Sequence, residues 1–306
     1  MSIKNKVYYK FIQGIRLLNI SRRYKIVDDA RQTAPFKLLY FCGQSGIEYL
    51  NASLLSVYKN WSVIPEIIIA TDGTPVQFFK EKLIKWPRKA EIILWEDCAK
   101  EFKNEGNTLL YDYASKEVFG KKFVSILYHA KRGPVLYSDT DILWFNTPAV
   151  KKDMQTTTPQ IVMSRDVDHF YTKELLETLG EEHCMNNIPF NAGVIYVEGQ
   201  FSGYPKWNAL SKYLGTAKDL GWFSEQTTFA ILQNHFNPNT YWKSDEILIK
   251  IDDAFKTRYT LNDFPGILAR HYVSVKNTAF WRDFFIMSIK GLRNRSSKNS
   301  SLKNPG

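Results

Sequence analysis

Between residues 35 and 164, short apolar runs alternate with longer stretches of mixed character, and no other feature restricts the fold as much. Residues 36–42 (FKLLYFC) read as a strand buried on both faces. Residues 46–59 (GIEYLNASLLSVYK) read as a helix with Leu50, Leu54, Leu55 and Tyr58 on one side. A second strand over 66–71 (EIIIAT) stops at the turn Asp72-Gly73. A short helix over 78–85, a third strand over 91–95 (EIILW) and a helix around 123–129 follow, the last ended by Lys131-Arg132-Gly133-Pro134. Residues 135–138 (VLYS) then form a fourth strand. Parallel strands need long crossovers, which helices supply. The expected fold is therefore α/β, a Rossmann-like three-layer sandwich with a mostly parallel central sheet. After Asp141 the pattern is mixed, with strands expected over 161–164, 193–197 and 247–251 and helices over 204–214 and 224–234.

The fourth strand runs straight into Asp139-Thr140-Asp141, inside the segment VLYSDTDILWF. Ligands of open α/β sheets bind beyond the C-terminal ends of the strands, which is where this pair falls. In extended chain alternate side chains share a face, so Asp139 and Asp141 are expected to point together and Thr140 away. Two carboxylates so placed suit one hard divalent cation, Mg²⁺ or Mn²⁺, whose remaining shell is water and phosphate oxygen. Asp-x-Asp alone arises often by chance; its place after a fourth strand makes it informative. Asp72 is a candidate nucleoside contact and also an ordinary Asp-Gly turn. Glu225 and Gln226 open a helix, where Ser224 also reads as a plain N-cap with an acid in the first turn. Lys121, Lys122 and Arg132 surround the helix before VLYS and face either a ligand or solvent, while Arg165 and Asp166 follow the strand at 161–164.

Four segments in order carry a resemblance. They are FKLLYFC with its helix, VLYSDTDILWF, IPFNAGVIYVE (188–198) and EQTTFAILQN (225–234). Together they resemble the GT-A fold glycosyltransferases with a DxD motif, nearest the retaining glycogenin and bacterial galactosyltransferase type of nucleotide-diphospho-sugar transferase. The resemblance spans residues 36–280 and is specific only in these patches. It implies that Asp139 and Asp141 ligate a Mn²⁺ (or Mg²⁺) bridging the diphosphate of a nucleotide sugar, with UDP as the nucleotide. It implies His271 as a third ligand, a neutral imidazole favouring Mn²⁺, and Lys276 as a partner of phosphate. The family's His-x-x-Gly-x-x-Lys pattern is not matched, since the spacing is one residue shorter and Ser274 replaces the glycine. Asn191 is implied beside the transferred sugar, with Gly193 allowing close backbone approach. Glu225 and Gln226 are implied around the anomeric centre, although the family has Asp at the first of these. The implied activity is hexosyl transfer to a saccharide or lipid-linked acceptor, as in bacterial surface glycan synthesis, with retention favoured over inversion.

Two other readings compete. A sugar-phosphate nucleotidyltransferase needs a Gly-rich basic loop after its first strand, where this chain has CGQSGIEY without Arg or Lys. A non-catalytic nucleotide-sugar-binding protein would tend to have lost one of the two acids.

The net charge of +10 suggests nucleic acid until it is mapped. Residues 1–25 hold seven Lys and Arg and no acid, and residues 281–306 hold six against Asp283 alone, which leaves the body at −2. A nucleic-acid partner is therefore not expected. Both ends are also amphipathic: Val7, Phe11, Ile15 and Leu18 recur at helical spacing, as do Trp281, Phe284 or Phe285, Ile289 and Leu292. Three segments are expected: a basic amphipathic stretch at 1–30, the catalytic domain at 31–280, and at 281–306 a basic amphipathic helix with a polar tail. Such ends suit peripheral contact with an anionic membrane. Three scattered cysteines, Cys42, Cys98 and Cys184, point to a reducing compartment rather than a disulfide frame or zinc site. No apolar run is long enough to span a bilayer or lead secretion, so a cytoplasmic place is expected, at most on a membrane face.

Overall fold

The computed structural model describes residues 29–149, 159–249, 266–273 and 276–288, and before them Val7, Lys10, Phe11, Ile12, Gly14 and Ile26; the side chains of Lys276 and Asn277 lie outside it. Four strands come first: β1 (Lys37–Cys42), β2 (Ile67–Thr71), β3 (Ala90–Leu94) and β4 (Val135–Ser138). Helix α1 (Ile47–Asn60) joins β1 to β2, and α2 (Val76–Lys82) joins β2 to β3. Three helices, α3 (Trp95–Asn104), α4 (Thr108–Lys116) and α5 (Val118–Ala130), lie between β3 and β4. These four strands pair in parallel in the order β3-β2-β1-β4.

The sheet continues with β7 (Phe190–Glu198), antiparallel to β4, and β6 (Gln160–Arg165), antiparallel to β7. The central sheet is thus six-stranded and mostly parallel, as expected. Its strands alternate between two apolar layers. Leu38 and Tyr40 of β1, Ile67 and Ile69 of β2 and Leu136 of β4 pack with α1. Leu39, Ile68, Ala70, Val135 and Tyr137 pack on the other side with α4, α5 and α8 (Ser224–Phe236). Sheets covered on both faces need near-continuous apolar strands, which is why FKLLYFC and EIIIAT were readable at once. Helix α6 (Lys173–Leu179) and helix α7 (Trp207–Thr216) add to the second layer.

A second sheet has three short strands in the order β5-β9-β8: β5 (Ile142–Trp144), β9 (Ala269–His271) and β8 (Ile247–Ile249). The chain leaves the large sheet at Ser138 and enters the small one at Ile142. Asp139-Thr140-Asp141 is the turn between them, which corrects the expectation of extended chain through this segment.

Helical residues 281–288 follow β9 and a short π-helical turn, Lys276–Phe280. Trp281, Phe284 and Met287 are buried in the same apolar layer as α1. The expected boundary at residue 280 therefore falls inside the packed domain, and this part of the C-terminal stripe faces protein; Ile289 and Leu292 lie outside the described residues. At the other end, among the described residues, Ile12 is buried whereas Val7 and Phe11 are 64% and 60% exposed; Ile15 and Leu18 lie outside the described residues. No helix among the described residues is long and apolar enough to cross a membrane. All three cysteines are buried and free, and burial pushes the thiol of Cys98 up to about 12.

Candidate functional site

The seam between the sheets brings together residues far apart in sequence. Asp139 donates its backbone N–H to the carbonyl of Gly193 on β7 (2.8 Å), and Tyr272 donates its own to the carbonyl of Asp141 (3.1 Å). β9 pairs with β5 so that His271 stands opposite Ile142, the residue after Asp141. As a result His271 Nε2 lies 3.6 Å from Asp139 Oδ2 and 3.3 Å from Asp141 Oδ1. One ligand-type atom from each of the three lies within 4.8 Å of the others. The two acids do converge, through a turn rather than through strand alternation.

The far side of the imidazole is also fixed. Asn191 Oδ1 accepts from the backbone N–H of Gly193 (2.8 Å) and lies 3.0 Å from His271 Nδ1. With Asn191 Nδ2 donating to Asp166 Oδ2 (3.0 Å), Oδ1 is the acceptor and Nδ1 carries a proton. In a neutral ring, Nε2 then presents its lone pair to the two carboxylates, the usual orientation of a ligating histidine. A Cβ on Gly193 would sit 2.4 Å from the imidazole, so this position has room only for glycine. A register shift between β6 and β7, at Met163/Ser164, re-aims Asn191 toward the ring. Burial opposes charging of His271, but the hydrogen bond and charge of Asp141, then the charge of Asp139, outweigh it and raise its pKa. A pocket of two carboxylates and one oriented imidazole thus attracts positive charge. Its donor set fits a divalent cation of the Mn²⁺ type.

Among the described residues, Lys122, on α5, places a cation inside this site. It lies 3.2 Å from both Asp139 and Glu225, donates to the carbonyl of Ala192 (3.0 Å), and stands over the ring of Tyr137 (4.5 Å). The Tyr137 hydroxyl in turn donates to Asp139 Oδ1. Burial disfavours the charge of Lys122, but Asp139 and Glu225 together keep its pKa above the ordinary value. Glu225, at the start of α8, is buried deeply enough that its carboxyl is pushed up to about 7, Lys122 opposing and Asp139 adding to the shift. Sequence reasoning named Lys122 without choosing between ligand and solvent. The signal was present, since residues 119, 122, 123, 126 and 130 fall on one helical stripe and Lys122 interrupts it with a charge.

Gln226 sits beside Glu225 in the same pocket. Its Nε2 donates to Asp166 Oδ2 (3.3 Å) and to the carbonyl of Phe170 (3.1 Å), and Oε1 accepts from Ala192 N (3.3 Å). Asp166 is thus the hub joining Asn191 and Gln226; burial raises its pKa against those hydrogen bonds. Ser224 is not an N-cap, because the capping residue is Phe223 and the Ser224 hydroxyl meets that of Tyr113 (3.0 Å). Lys122, Asp166, Asn191, Glu225 and Gln226, with Asp139, Asp141 and His271, line one cavity of about 600 Å³.

Asp72 lies in a neighbouring open cleft of about 610 Å³, with Gln44, Glu48, Thr74 and Phe78. Its Oδ1 accepts from Thr74 N (3.0 Å) and Thr74 Oγ1 (2.6 Å), so it shapes the turn after β2. Gly46, after β1, packs close to the acid-bearing turn: a Cβ there would meet Cys42 Sγ at 2.9 Å and come within 3.8 Å of Thr140 Oγ1. Lys121 donates to the carbonyl of Asp72 (3.0 Å) and lies over the Trp95 ring. Arg132 is elsewhere, bound to Glu101. The side chain of Lys276 lies outside the described residues.

The strand that carries His271 is anchored from behind. Arg270 and Tyr272, its two neighbours, both donate to Asp283 Oδ2, at 3.0 and 2.8 Å, and all three side chains are buried. The helical residues 281–288 therefore set the position of β9.

No protein-family model matches the chain, and no curated protein matches it significantly. Among solved structures it is similar to mouse xyloside xylosyltransferase 1, with 13% identity, a TM-score of 0.46, and 79% of this chain and 98% of that one covered. It is similar to the glycosyltransferase GlyE of Streptococcus pneumoniae TIGR4, with 14% identity, a TM-score of 0.45, and 89% and 66% covered. It is similar to the galactosyltransferase LgtC in complex with donor and acceptor sugar analogues, with 14% identity, a TM-score of 0.44, and 89% and 98% covered. Likeness at such identities and scores carries no chemistry over to this chain.

Proposed function

We propose that the chain transfers a hexosyl group from a nucleotide-diphosphate sugar, with UDP as the nucleotide, to a saccharide or lipid-linked acceptor. Asp139, Asp141 and His271 would hold Mn²⁺, or Mg²⁺ less well, against the diphosphate. The observation that carries this reading is the convergence of those three side chains, with Nε2 aimed at both acids, at the C-terminal mouth of a mostly parallel sheet. A cation there supplies Lewis acidity, offsetting the negative charge that grows on a leaving diphosphate.

The chain's own residues do the rest. His271 is held in one tautomer by Asn191. Lys122 balances part of the surplus of carboxylates and keeps Asp139 in place. Asp166, Asn191 and Gln226 form a hydrogen-bonded wall that would hold the hydroxyls of the transferred sugar. Glu225, with its pKa near neutrality, has a part in either stereochemistry. In a retaining reaction the leaving phosphate takes the acceptor's proton and Glu225 stands beside the positive charge developing at the anomeric carbon. In an inverting one Glu225 takes that proton as general base. Retention is preferred, following the resemblance to the glycogenin type. The Asp72 cleft is assigned to the nucleoside, and Lys276 to phosphate. Peripheral membrane contact would rest on the exposed Val7 and Phe11 of the basic N-terminal segment. A role in bacterial surface glycan synthesis and a cytoplasmic place belong to the same reading.

The test is turnover of UDP-, GDP- and CMP-sugars with Mn²⁺, and the anomeric configuration of the product by NMR. Asp141→Asn is expected to lower turnover at least about a hundredfold. If no nucleotide sugar turns over faster with Mn²⁺ than without it, the proposal fails.

A further inference from the structure

Seven large apolar side chains are exposed among the described residues, and four of them, Val167, Trp222, Phe223 and Val273, ring the opening above Asp139 and Asp141. Single exposed apolar side chains are ordinary, but a cluster at one mouth is not. Trp222 is 80% exposed, the highest of the seven. It follows Gly221, whose φ of +63° turns the chain and whose N–H is held by Asp219 (3.1 Å). Its ring centroid lies 6.1 Å from that of Phe119, three residues before Lys122 on α5. Phe223 stacks on Phe170, with centroids 5.6 Å apart and planes at 27°, and the carbonyl of Phe170 accepts from Gln226. Two aromatic pairs therefore wall a cavity whose floor is the polar set Asp166, Asn191, Glu225 and Gln226.

That combination narrows the occupant. A hydrocarbon chain would strip water from the floor without replacing its hydrogen bonds. A fully polar ligand would leave Trp222 facing water. A pyranose meets both demands, because its C–H faces are apolar and its hydroxyls lie at the edge. We propose that Trp222 and Phe119, with Phe223 and Phe170 opposite, form the acceptor subsite, and that the acceptor is a pyranoside stacked by its C–H face on Trp222. The aromatic rim and the polar floor line one cavity, so the acceptor on the rim would meet the transferred sugar held by the floor, and the assignment of the rim to the acceptor rests on the transferase reading.

Saturation-transfer NMR on the full chain with Mn²⁺ and UDP tests this, with methyl β-galactopyranoside, methyl α-glucopyranoside and methyl β-N-acetylglucosaminide as probes. Saturation is expected to be strongest on the protons of one ring face for at least one probe. Trp222→Ala is expected to weaken that probe about tenfold, and Trp222→Phe to recover most of the loss. Because Trp222 is so exposed, the melting temperature of Trp222→Ala should match the parent, which separates lost stacking from lost folding. The subsite is overturned if no pyranoside is saturated. It is also overturned if saturation is unchanged in Trp222→Ala and in the Trp222→Ala, Phe119→Ala double variant. Co-sedimentation with phosphatidylglycerol vesicles that depends on Trp222 would overturn it in favour of a lipid-facing rim. Donor turnover with Mn²⁺, measured on the parent, keeps the two ideas apart. Turnover with Trp222-independent saccharide binding sinks the subsite alone, whereas no turnover sinks the transferase reading.

Discussion

Two trios of ligand-type side chains come together among the described residues, Asp139/Asp141/His271 and Glu181/His183/Cys184, and they differ in what already neutralises them. Glu181 has its own partners: Lys206 lies 2.8 Å away and the Tyr204 hydroxyl donates to it at 2.6 Å. Although burial works against its charge, these contacts hold its pKa below the ordinary carboxylate value. Burial pushes the Cys184 thiol up to about 11, so it is not a thiolate, and His183 is largely exposed. In the first trio one lysine serves Asp139 and Glu225 together, Asp141 adds a further carboxylate, and the imidazole is oriented from behind. Proximity of ligand atoms alone therefore does not mark a cation site. An imidazole oriented from behind onto two converging acids does.

The contrast can be broken most decisively by metal binding. Mn²⁺ titration followed by electron paramagnetic resonance should show Asp141→Asn weakening binding at least about a hundredfold, with His183→Ala unchanged. Equal losses in both variants would erase the distinction. A smaller effect is expected behind the ring. Asp283→Asn removes the carboxylate facing the buried Arg270, which costs on the order of 3–5 kcal/mol. It should also weaken Mn²⁺ about tenfold, since outer-shell partners orient the ligand. Tyr272→Phe removes only one donor to Asp283 and should weaken Mn²⁺ less while sparing the fold. Unchanged Mn²⁺ affinity in both would deny the helix any hold on His271.

The smallest effect sharpens the comparison through pH, on metal-free protein. Glu225 has a folded pKa of about 7 against an ordinary 4.5, so the stability it contributes below about pH 4.5 is lost as pH rises through 7. Glu225→Gln should therefore gain on the parent in melting temperature between pH 5 and 8. Glu181 is shifted the other way, and its contribution is present above the ordinary value and lost as pH falls through the lowered one. Glu181→Gln should lose most near neutrality and least in acid. Parallel pH curves for the two variants would show that the two clusters carry the same balance of charge.

The large sheet was legible because both its faces are covered. Strands such as EIIIAT carry an unbroken apolar run, Ile67 to Ala70, and no helix pattern competes with it. Of the small sheet only β8 was legible, within the strand expected over 247–251; β5 and β9 are three residues each and only tertiary pairing makes them strands. Helices α3 and α4 passed unread, although Trp95, Cys98, Ala99 and Phe102 repeat at helical spacing, because the charges between them mask the stripe. At the site, Asp139 and Asp141 were legible from their strand. His271 was reached only through the resemblance, because it comes to the acids by a pairing 129 residues away that no local pattern records. Asp166 was legible only as following a strand at a place where enzymes of the resembling type contact donor or acceptor, and Lys122 only as facing either a ligand or solvent. What makes them central is the chain around them: a bulge that turns Asn191 inward and a tyrosine ring beneath the lysine.

The turn between the sheets also bears on how the molecule comes apart. Asp139 and Asp141 belong to the point where the large sheet ends, and His271 sits on the central strand of a sheet held by three-residue pairings. An ion shared among them would act as a rivet across that joint. Chelation should then loosen β9 and residues 281–288 first, seen as faster amide exchange there, while the apolar strands of β1 and β2 keep their protection until the whole domain opens.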